Sequence, residues 1–446
     1  MAYGSVNRRK PIERASKISH TEIINNPDVV QFLQNCRMPA ASDPEEIAAL
    51  TNSITRNDGG TIKHIVALDG GYTETVVKVE FPSASITFFN FGPLLLKLDD
   101  LKTVDNQEFI NPRDLAKLKQ IHRHSLVFPT KNICRSDSTS LIVSIRRTLL
   151  EFFIKPDVDN ESLMNSLRWL LFQEWQSSPK EWILSTCPYD PTCSGGITFK
   201  QATGYEILCP GCGQPVWLTD TFRLHEAIDE EQGAGGVLGY LIVMLEQMLL
   251  VQWIRAIYRV KPSMLSEVLF VKDGPLAFFG QTANFHKPMR ALMAHLLKPN
   301  TKSASLRLVG VEKSGPFVEH AAAIQQSMPS GSILIPSNEY IYRHIIPGAS
   351  TLQEYGRTTY YGWKVFFRDW DGAMYVLTLP SAEYNSAPTI HDFVGLEDML
   401  STIGSLKCHM YENALIPVAL VNKLVSLSDF PSSQILRTFA RQTLSS

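Results

Sequence analysis

Two short apolar segments of this chain run directly into an Asp-Gly step, and these steps constrain how the chain can fold. Residues 64–68 precede Asp69, and residues 268–272 precede Asp273. Apolar residues rich in Val, Ile and Leu favour a buried strand, and a glycine after it favours a turn at the rim of a sheet. Either step alone is better explained as an ordinary turn, because Asp-Gly is common at strand ends. Together they predict two carboxylates at the rim of one sheet, which is a candidate metal site.

The composition favours a folded protein and identifies no substrate. The 446 residues are 44% hydrophobic and 19% charged, which indicates one large domain with insertions, or two domains. The formal net charge of -2 means that any nucleic-acid binding must come from a local patch or a partner. No apolar run of about 18 residues is free of charge, so we expect no membrane-spanning helix, and the basic N-terminus lacks the apolar region of a secretory signal. We therefore expect a cytoplasmic protein without membrane association.

The order of helical and strand patterns predicts a mixed α/β core. A polar, helical lead-in is expected over residues 1–60, with Asp43 as an N-cap, and strands follow from residue 61. Residues 112–184 are predicted to be mainly helical, and their basic side chains, Arg146 and Arg147 among them, to form a solvated helix face rather than a phosphate-binding patch. Helices and strands then interleave without a repeat. The apolar stretch 236–257 carries Glu246 and is predicted as a core helix.

Four of the seven cysteines form a cluster with metal-ligand spacing. Cys187 and Cys193 are separated by fifteen residues from Cys209 and Cys212. The second pair, in Cys-Pro-Gly-Cys-Gly, has the spacing of a metal knuckle, whereas the first pair is more widely spaced than is usual. We predict a structural Zn²⁺ with four thiolate ligands rather than four free thiols. Such a site has no open position and does not activate water.

The carboxylates indicate a different metal. Phosphodiester cleavage by metal ions needs two or three carboxylates that hold one or two divalent ions, and oxygen ligands favour Mg²⁺ or Mn²⁺. Asp69 and Asp273 are the first candidates. Glu246 is the third, because it is the lone acid of an apolar helix, where a charge is costly unless it is paired or metal-bound. The alternative is that Glu246 lies on an exposed stripe of that helix.

The order of these motifs resembles the NurA family, nucleases that work with the HerA hexameric ATPase in DNA end processing and in antiphage defence. That family has a strand ending in Asp-Gly-Ser, a helical glutamate, a second strand ending in Asp-Gly, and a later Gly-Val-x-Lys segment. This chain has Asp69 with Gly71 at the serine position, Glu246, Asp273 and then Gly-Val-Glu-Lys313, in the same order over roughly residues 60–430.

The resemblance implies a fold, a set of roles and partners. It implies an RNase H-like core sheet flanked by helices, in a nuclease domain 61–430 with a helical and zinc-ribbon-like insertion at about 112–235, followed by a C-terminal tail 431–446. Asp69, Glu246 and Asp273 would hold Mn²⁺ or Mg²⁺, and Lys313 would contact the scissile phosphate unless it is only an exposed lysine at a strand end. DNA, a homodimer and a HerA-like ATPase are the implied partners.

Two departures from the family pattern keep a second hypothesis open. Gly71 replaces the usual serine, and Asn422, on the helix after Pro417, stands where the family has a histidine. An asparagine oxygen can ligate a metal, but the side chain cannot act as a base. The competing hypothesis is a zinc-stapled adaptor whose degenerate nuclease core binds nucleic acid or a protein.

Overall fold

The computed structural model describes residues 19–57, 59–80, 82–100, 123–156, 160–193, 196–298, 305–348, 353–408, 414–427 and 431–445. Three helices come first, namely α1 (Ser19–Ile24), α2 (Pro27–Gln34) and α3 (Pro44–Leu50). The predicted cap of α3 is confirmed, since the Asp43 carboxylate accepts a 3.0 Å hydrogen bond from the Glu45 amide. Within 19–57, the lead-in is therefore helical up to the short strand β1 (Thr51–Ser53).

Two long strands and a third, shorter one follow. They are β2 (His64–Lys78), β3 (Ala84–Lys97) and β4 (His124–Lys131). The prediction that residues 112–184 are mainly helical missed β4, a strand within this range that pairs antiparallel with β3. Leu126 and Phe128 alternate with less buried residues, so a period of two buries one face of the segment against the core. The first part of that predicted helical region, residues 112–122, lies outside the described residues.

The helical prediction holds farther along the chain, and the cysteine region is built from short strands. The elements are α4 (Leu141–Ile154), α5 (Leu163–Leu171), β5 (Trp182–Leu184), β6 (Ile197–Phe199), β7 (Glu206–Leu208), β8 (Pro215–Trp217) and α6 (Leu238–Val260). The strands β5 and β6 pair antiparallel, as do β7 and β8.

The long helix α6 is a core helix, as the sequence predicts. Together with the turn before it, it spans 235–260 and is long and apolar enough to cross a bilayer, but 72% of its most apolar window is buried inside the protein. Met244, Leu245 and Met248 are fully buried along its length.

The C-terminal half alternates strands and helices. In order these are β9 (Val268–Asp273), α7 (His286–Leu296), β10 (Arg307–Glu312), α8 (Pro316–Ile324), β11 (Ser332–Leu334), α9 (Asn338–His344), β12 (Trp363–Arg368), β13 (Met374–Leu379), α10 (Leu396–Gly404), α11 (Ile416–Val425) and α12 (Ser432–Ser445). The segment predicted as a tail forms α12, and its Ala440 is buried against Ile86 and Phe88 of β3.

One large mixed sheet organises the described part of the chain. Its nine strands lie in the order β1-β11-β12-β13-β10-β9-β2-β3-β4. The strands β2, β9 and β10 are parallel, and the other neighbouring pairs are antiparallel. The predicted mixed α/β fold, with a central sheet flanked by helices, is confirmed.

The two faces of the sheet pack on different helices, so each side chain near the acids can be assigned to one face. Leu68 and Phe270 belong to the apolar core that includes α6, whereas Ala67 and Val271 belong to the core that includes α11. Successive strand residues point to opposite faces. Asp69 and Asp273 therefore lie on the α11 face, and Lys272 lies on the α6 face.

Candidate functional site

Asp69 and Asp273 stand side by side at one edge of the sheet. The parallel register of β2 and β9 pairs Leu68 with Lys272, so the next residue of each strand is the aspartate. This arrangement is the one expected from the two Asp-Gly steps, because parallel strands present the same ends to one rim.

One carboxylate oxygen of Asp69 is buried without a hydrogen bond of good geometry in the part of the chain that the structure describes, although Asn422 lies close enough to lower the pKa of this carboxyl. Its residue is 5% exposed, its Oδ1 accepts a 2.8 Å hydrogen bond from the Gly70 amide, and its buried Oδ2 has no hydrogen-bond partner among the described residues. Burial, followed by the charge of Asp273, raises the pKa of Asp69 to about 6, while Lys313 and Asn422 act in the opposite direction. A buried anion with an unsatisfied oxygen and a neighbouring anion is an environment that a cation stabilises.

The glycine after Asp69 is required by close packing of α6 against the sheet. A Cβ atom at Gly70 would lie 2.6 Å from Ile242 Cδ1 and 2.9 Å from Phe91 Cβ, distances too short for any side chain. A Cβ atom at Gly71 would lie 3.4 Å from the Val425 main-chain oxygen, which is ordinary contact. The serine of the family pattern therefore fits at position 71.

Lys313 pairs directly with Asp273. It follows β10, whose parallel register sets Val311 beside Asp273, and its Nζ lies 2.7 Å from Asp273 Oδ2. The Lys313 side chain is 36% exposed, so its ammonium reaches the solvent beside the acids. The structure thus brings together the two aspartates and the lysine.

Glu246 approaches from α6 and does not lie on an exposed stripe. It is 6% exposed, and its Oε2 lies 2.8 Å from Nζ of Lys272. Burial raises the pKa of Glu246 to about 7, Lys272 lowers it, and the charges of Asp69 and Asp273 raise it. The three predicted acids therefore interact electrostatically, although Glu246 is directly paired with a lysine.

Sequence reasoning missed Lys272, although the sequence carries a signal for it. It is the single charged residue within the apolar run 268–272, and its side chain is 3% exposed. Its Nζ also donates a 2.6 Å hydrogen bond to the main-chain oxygen of Asp273.

A cleft opens beside the acids. It has a volume of about 420 Å³ and is lined by Glu312, Lys313, Asn422 and Lys423 together with small apolar side chains of α8, β13 and α11. Asn422 is exposed and neighbours Asp69. Asp69, Asp273 and Glu246 do not line the cleft, but Lys313 and Asn422 belong both to its wall and to the surroundings of Asp69.

The four clustered cysteines have the geometry of a closed metal site. The Sγ atoms of Cys187, Cys193, Cys209 and Cys212 all lie within 4.8 Å of one another, and those of Cys187 and Cys212 are 3.7 Å apart. Zn–S bonds of about 2.3 Å in a tetrahedron give sulfur separations of about 3.8 Å. Without a metal, burial and the neighbouring thiols raise the pKa values of Cys187 and Cys193, whereas the backbone amides of Cys212 and Gly211 lower the pKa of Cys209 to about 7. The donor set therefore fits Zn²⁺.

A buried arginine fastens this cluster to α4. Arg146 Nε and Nη2 each donate a 2.7 Å hydrogen bond to Asp220, and the guanidinium lies over the rings of Tyr189 and Trp217 at 4.4 and 4.8 Å. The prediction of a solvated basic face is wrong for Arg146, whose side chain is 3% exposed, because the cysteine-bearing segment covers it. Arg147 does lie at the surface.

Comparisons with known proteins add little to this geometry. No protein-family model matches the chain, and no curated protein matches it. Among solved structures, the chain is similar to the NurA nuclease from Sulfolobus solfataricus, with a TM-score of 0.35 and 8% identity over 96% of this chain and 95% of that chain.

Proposed function

We propose that this protein is a metal-dependent nuclease that hydrolyses phosphodiester bonds of DNA. The observation that supports this most directly is the buried, unpartnered Oδ2 of Asp69 beside Asp273. Adjacent carboxylates at the ends of parallel strands provide the oxygen ligands that Mn²⁺ and Mg²⁺ prefer. The motif order that the chain shares with the NurA family supports DNA as the substrate.

Each residue at this edge of the sheet has a distinct role in the proposed reaction. Asp69 and Asp273 would hold the divalent ion, which when bound supplies an activated water and charge neutralisation at the phosphate. The exposed ammonium of Lys313 stabilises the negative charge that develops on the phosphate. Asn422 lies beside Asp69, where its amide would hydrogen-bond to the bound DNA. Glu246 adds negative charge behind the two aspartates.

The biological setting that we propose rests on the motif resemblance. The protein acts as a homodimer with a HerA-type hexameric ATPase in DNA end processing or antiphage defence. The formal net charge of -2 is compatible with this role if the motor supplies much of the grip on DNA. Light scattering that shows a monomer at micromolar concentration contradicts the dimer, and a neighbouring gene for a HerA-type ATPase supports the partnership.

The second candidate function is a zinc-stapled adaptor with a degenerate nuclease core. One observation favours it, namely that Asn422, which cannot act as a base, stands beside Asp69. Metal titration separates the two functions, since an adaptor binds only Zn²⁺ at the cysteines, whereas a nuclease also binds Mn²⁺ at the acids.

The decisive experiment compares Asp69→Asn with Gly71→Ser in a cleavage assay. Linear double-stranded and single-stranded DNA are incubated with Mn²⁺ and each protein. We expect Asp69→Asn to abolish cleavage while it keeps the hydrogen bond from Gly70, and Gly71→Ser to remain active because its Cβ fits. Cleavage by Asp69→Asn at the wild-type rate excludes the proposed site.

A further inference from the structure

Lys272 lies where the acid cluster meets α6. Its ammonium is 2.8 Å from Glu246 Oε2 and 2.6 Å from the main-chain oxygen of Asp273. Both side chains of the pair are almost fully buried, at 3% and 7% exposure. If this buried ammonium left these partners, no negative charge or acceptor oxygen would offset the cost of burying it. Lys272 is therefore a fixed part of the site.

The strand geometry separates this lysine from the two aspartates. Lys272 and Asp273 are consecutive in β9 and point to opposite faces of the sheet. Glu246 reaches the rim from the α6 face, where Lys272 meets it, while Asp69 and Asp273 lie on the α11 face with Lys313 and Asn422. Asp69 and Asp273 thus lie on one face, with Asp273 paired to the partly exposed Lys313, and Glu246 lies on the other face, paired to the buried Lys272.

The charges at the rim match one divalent ion better than two. Glu246 is paired with Lys272 and Asp273 with Lys313, so three carboxylates face two ammonium groups. A divalent ion bound by Glu246 would lie next to the Lys272 ammonium, which is 3% exposed and cannot turn away, and like charges in a buried site repel strongly. The Lys313 ammonium is 36% exposed and can turn into the solvent when Asp273 binds an ion. Asp69 has no lysine paired with it among the described residues, and its buried Oδ2 is free to accept one ion together with Asp273.

We infer that Lys272 is the permanent cation of a one-ion centre. Asp69 and Asp273 hold one Mn²⁺ or Mg²⁺, and Lys272 occupies the position beside Glu246 that a second ion would need. Glu246 is then a positioning residue, which holds the lysine rather than the metal. This inference rests on the proposed function and goes beyond it, because it fixes how many ions the carboxylates take.

The test is the number of Mn²⁺ ions bound by the full-length protein after the cysteines have been loaded with Zn²⁺. Isothermal titration calorimetry is expected to give one Mn²⁺ per chain for the wild type and none for Asp69→Asn. Lys272→Met frees Glu246, and we expect it to bind two ions, which electron paramagnetic resonance detects as a spin-coupled Mn²⁺ pair.

A neutral double variant keeps the inference testable if Lys272→Met does not fold. Lys272→Met combined with Glu246→Gln replaces the buried ion pair by a neutral pair, a change that is often tolerated. We expect one ion, with an affinity within about 3-fold of the wild type, because neither residue is a ligand. A loss of about 10-fold or more makes Glu246 a contributor to metal binding and overturns the inference.

The outcomes for the wild type distinguish the two proposals. Two Mn²⁺ ions per chain overturn the one-ion centre and leave the nuclease intact. One ion in both the wild type and folded Lys272→Met shows that the lysine does not exclude a second ion, which also overturns the inference. No Mn²⁺ at the acids overturns the proposed function together with it.

Discussion

Asp69 and Asp273 end neighbouring parallel strands, and the charge of Asp273 adds to burial in raising the pKa of Asp69 to about 6. A carboxyl group whose pKa is higher in the folded state than its model value of 3.8 lowers stability once it ionises. This cost is absent below the unfolded pKa, grows as the pH rises, and is complete above about 6.

We therefore expect metal-free Asp69→Asn to be more stable than the wild type at pH 8. The gain is up to about 3 kcal/mol, from roughly two pKa units at about 1.4 kcal/mol each. Urea denaturation at pH 8, 6 and 5 should show the difference shrinking as the pH falls. Lower stability of the variant at pH 8 contradicts the expectation that the ionised Asp69 carboxylate destabilises the folded protein.

Mn²⁺ should make the wild type more stable than Asp69→Asn at pH 8. Under the proposed function the ion binds only the folded wild type, and at 100 times its dissociation constant it stabilises the protein by about 2.7 kcal/mol. The effect should grow from pH 5 to pH 8, because the ion competes with a proton at Asp69. Thermal unfolding with and without Mn²⁺ measures it, and Asp69→Asn, which lacks the carboxylate, is the control.

The two adjacent glycines after Asp69 should differ in their tolerance of alanine. Gly70→Ala forces a Cβ atom to 2.6 Å from Ile242, so we expect a loss of about 1–3 kcal/mol in the free energy of unfolding. Gly71→Ala meets only ordinary contact and should change stability by less than about 0.5 kcal/mol. Equal effects at the two positions argue against the close approach of α6.

Substitutions of the two neighbouring arginines of α4 should also differ in their effect on stability. Arg146→Leu leaves the buried Asp220 carboxylate without its partner, and we expect a loss of about 3–5 kcal/mol. Arg147 is 37% exposed and contacts Asp137 at the surface, so Arg147→Leu should cost less than about 1 kcal/mol. Chemical denaturation of both variants measures the contrast, which vanishes if the Arg146 side chain is solvated.

Removal of one zinc ligand should destabilise the cysteine region without removing the Mn²⁺ site. We expect Cys209→Ser to lose about one equivalent of Zn²⁺, measured by a metal-indicator assay, because the ion would be held by all four clustered thiolates. Cys36→Ser, at an exposed thiol outside the cluster, should keep its zinc. Mn²⁺ binding by folded Cys209→Ser should persist, since the acids belong to the central sheet.

Asn422→His tests whether the missing histidine limits catalysis. Position 422 is exposed and beside Asp69, so we expect the variant to fold normally and, if the imidazole acts as a general base, to cleave DNA about 10²-fold faster near pH 7. The gain should follow the ionisation of the new imidazole in the pH–rate profile. An unchanged rate and profile show that no base is needed at that position.

The sequence carried enough information to predict the sheet edge but not the pairing of charges around it. The Asp-Gly steps and the alternation of strands and helices predicted the mixed sheet and the adjacency of Asp69 and Asp273, because strand parity and parallel pairing follow from local patterns. Lys272 and Arg146 could not be assigned in the same way. Arg146 is buried by the cysteine-bearing segment, and charge patterning cannot distinguish such a residue from a solvated one. Lys272 stands out as the single charge of an apolar run, but the sequence does not indicate that Glu246 is its partner.

The position of β4 was missed for a related reason. Basic residues near Arg123 and His124 suggested a helix face. The buried side chains at alternate positions that mark the strand, Leu126, Phe128 and Thr130, lie in a segment of only eight residues. Pairing with β3 decides the conformation there.

The parallel pair of β2 and β9 also determines when the protein becomes able to act. The two strands are separated by almost two hundred residues of sequence, so a chain emerging from the ribosome carries Asp69 long before Asp273 exists to meet it. Lys313 and Asn422 follow later still. A partly synthesised or prematurely terminated chain therefore lacks a complete centre, and under the proposed function the cell's own DNA is not exposed to a half-made enzyme.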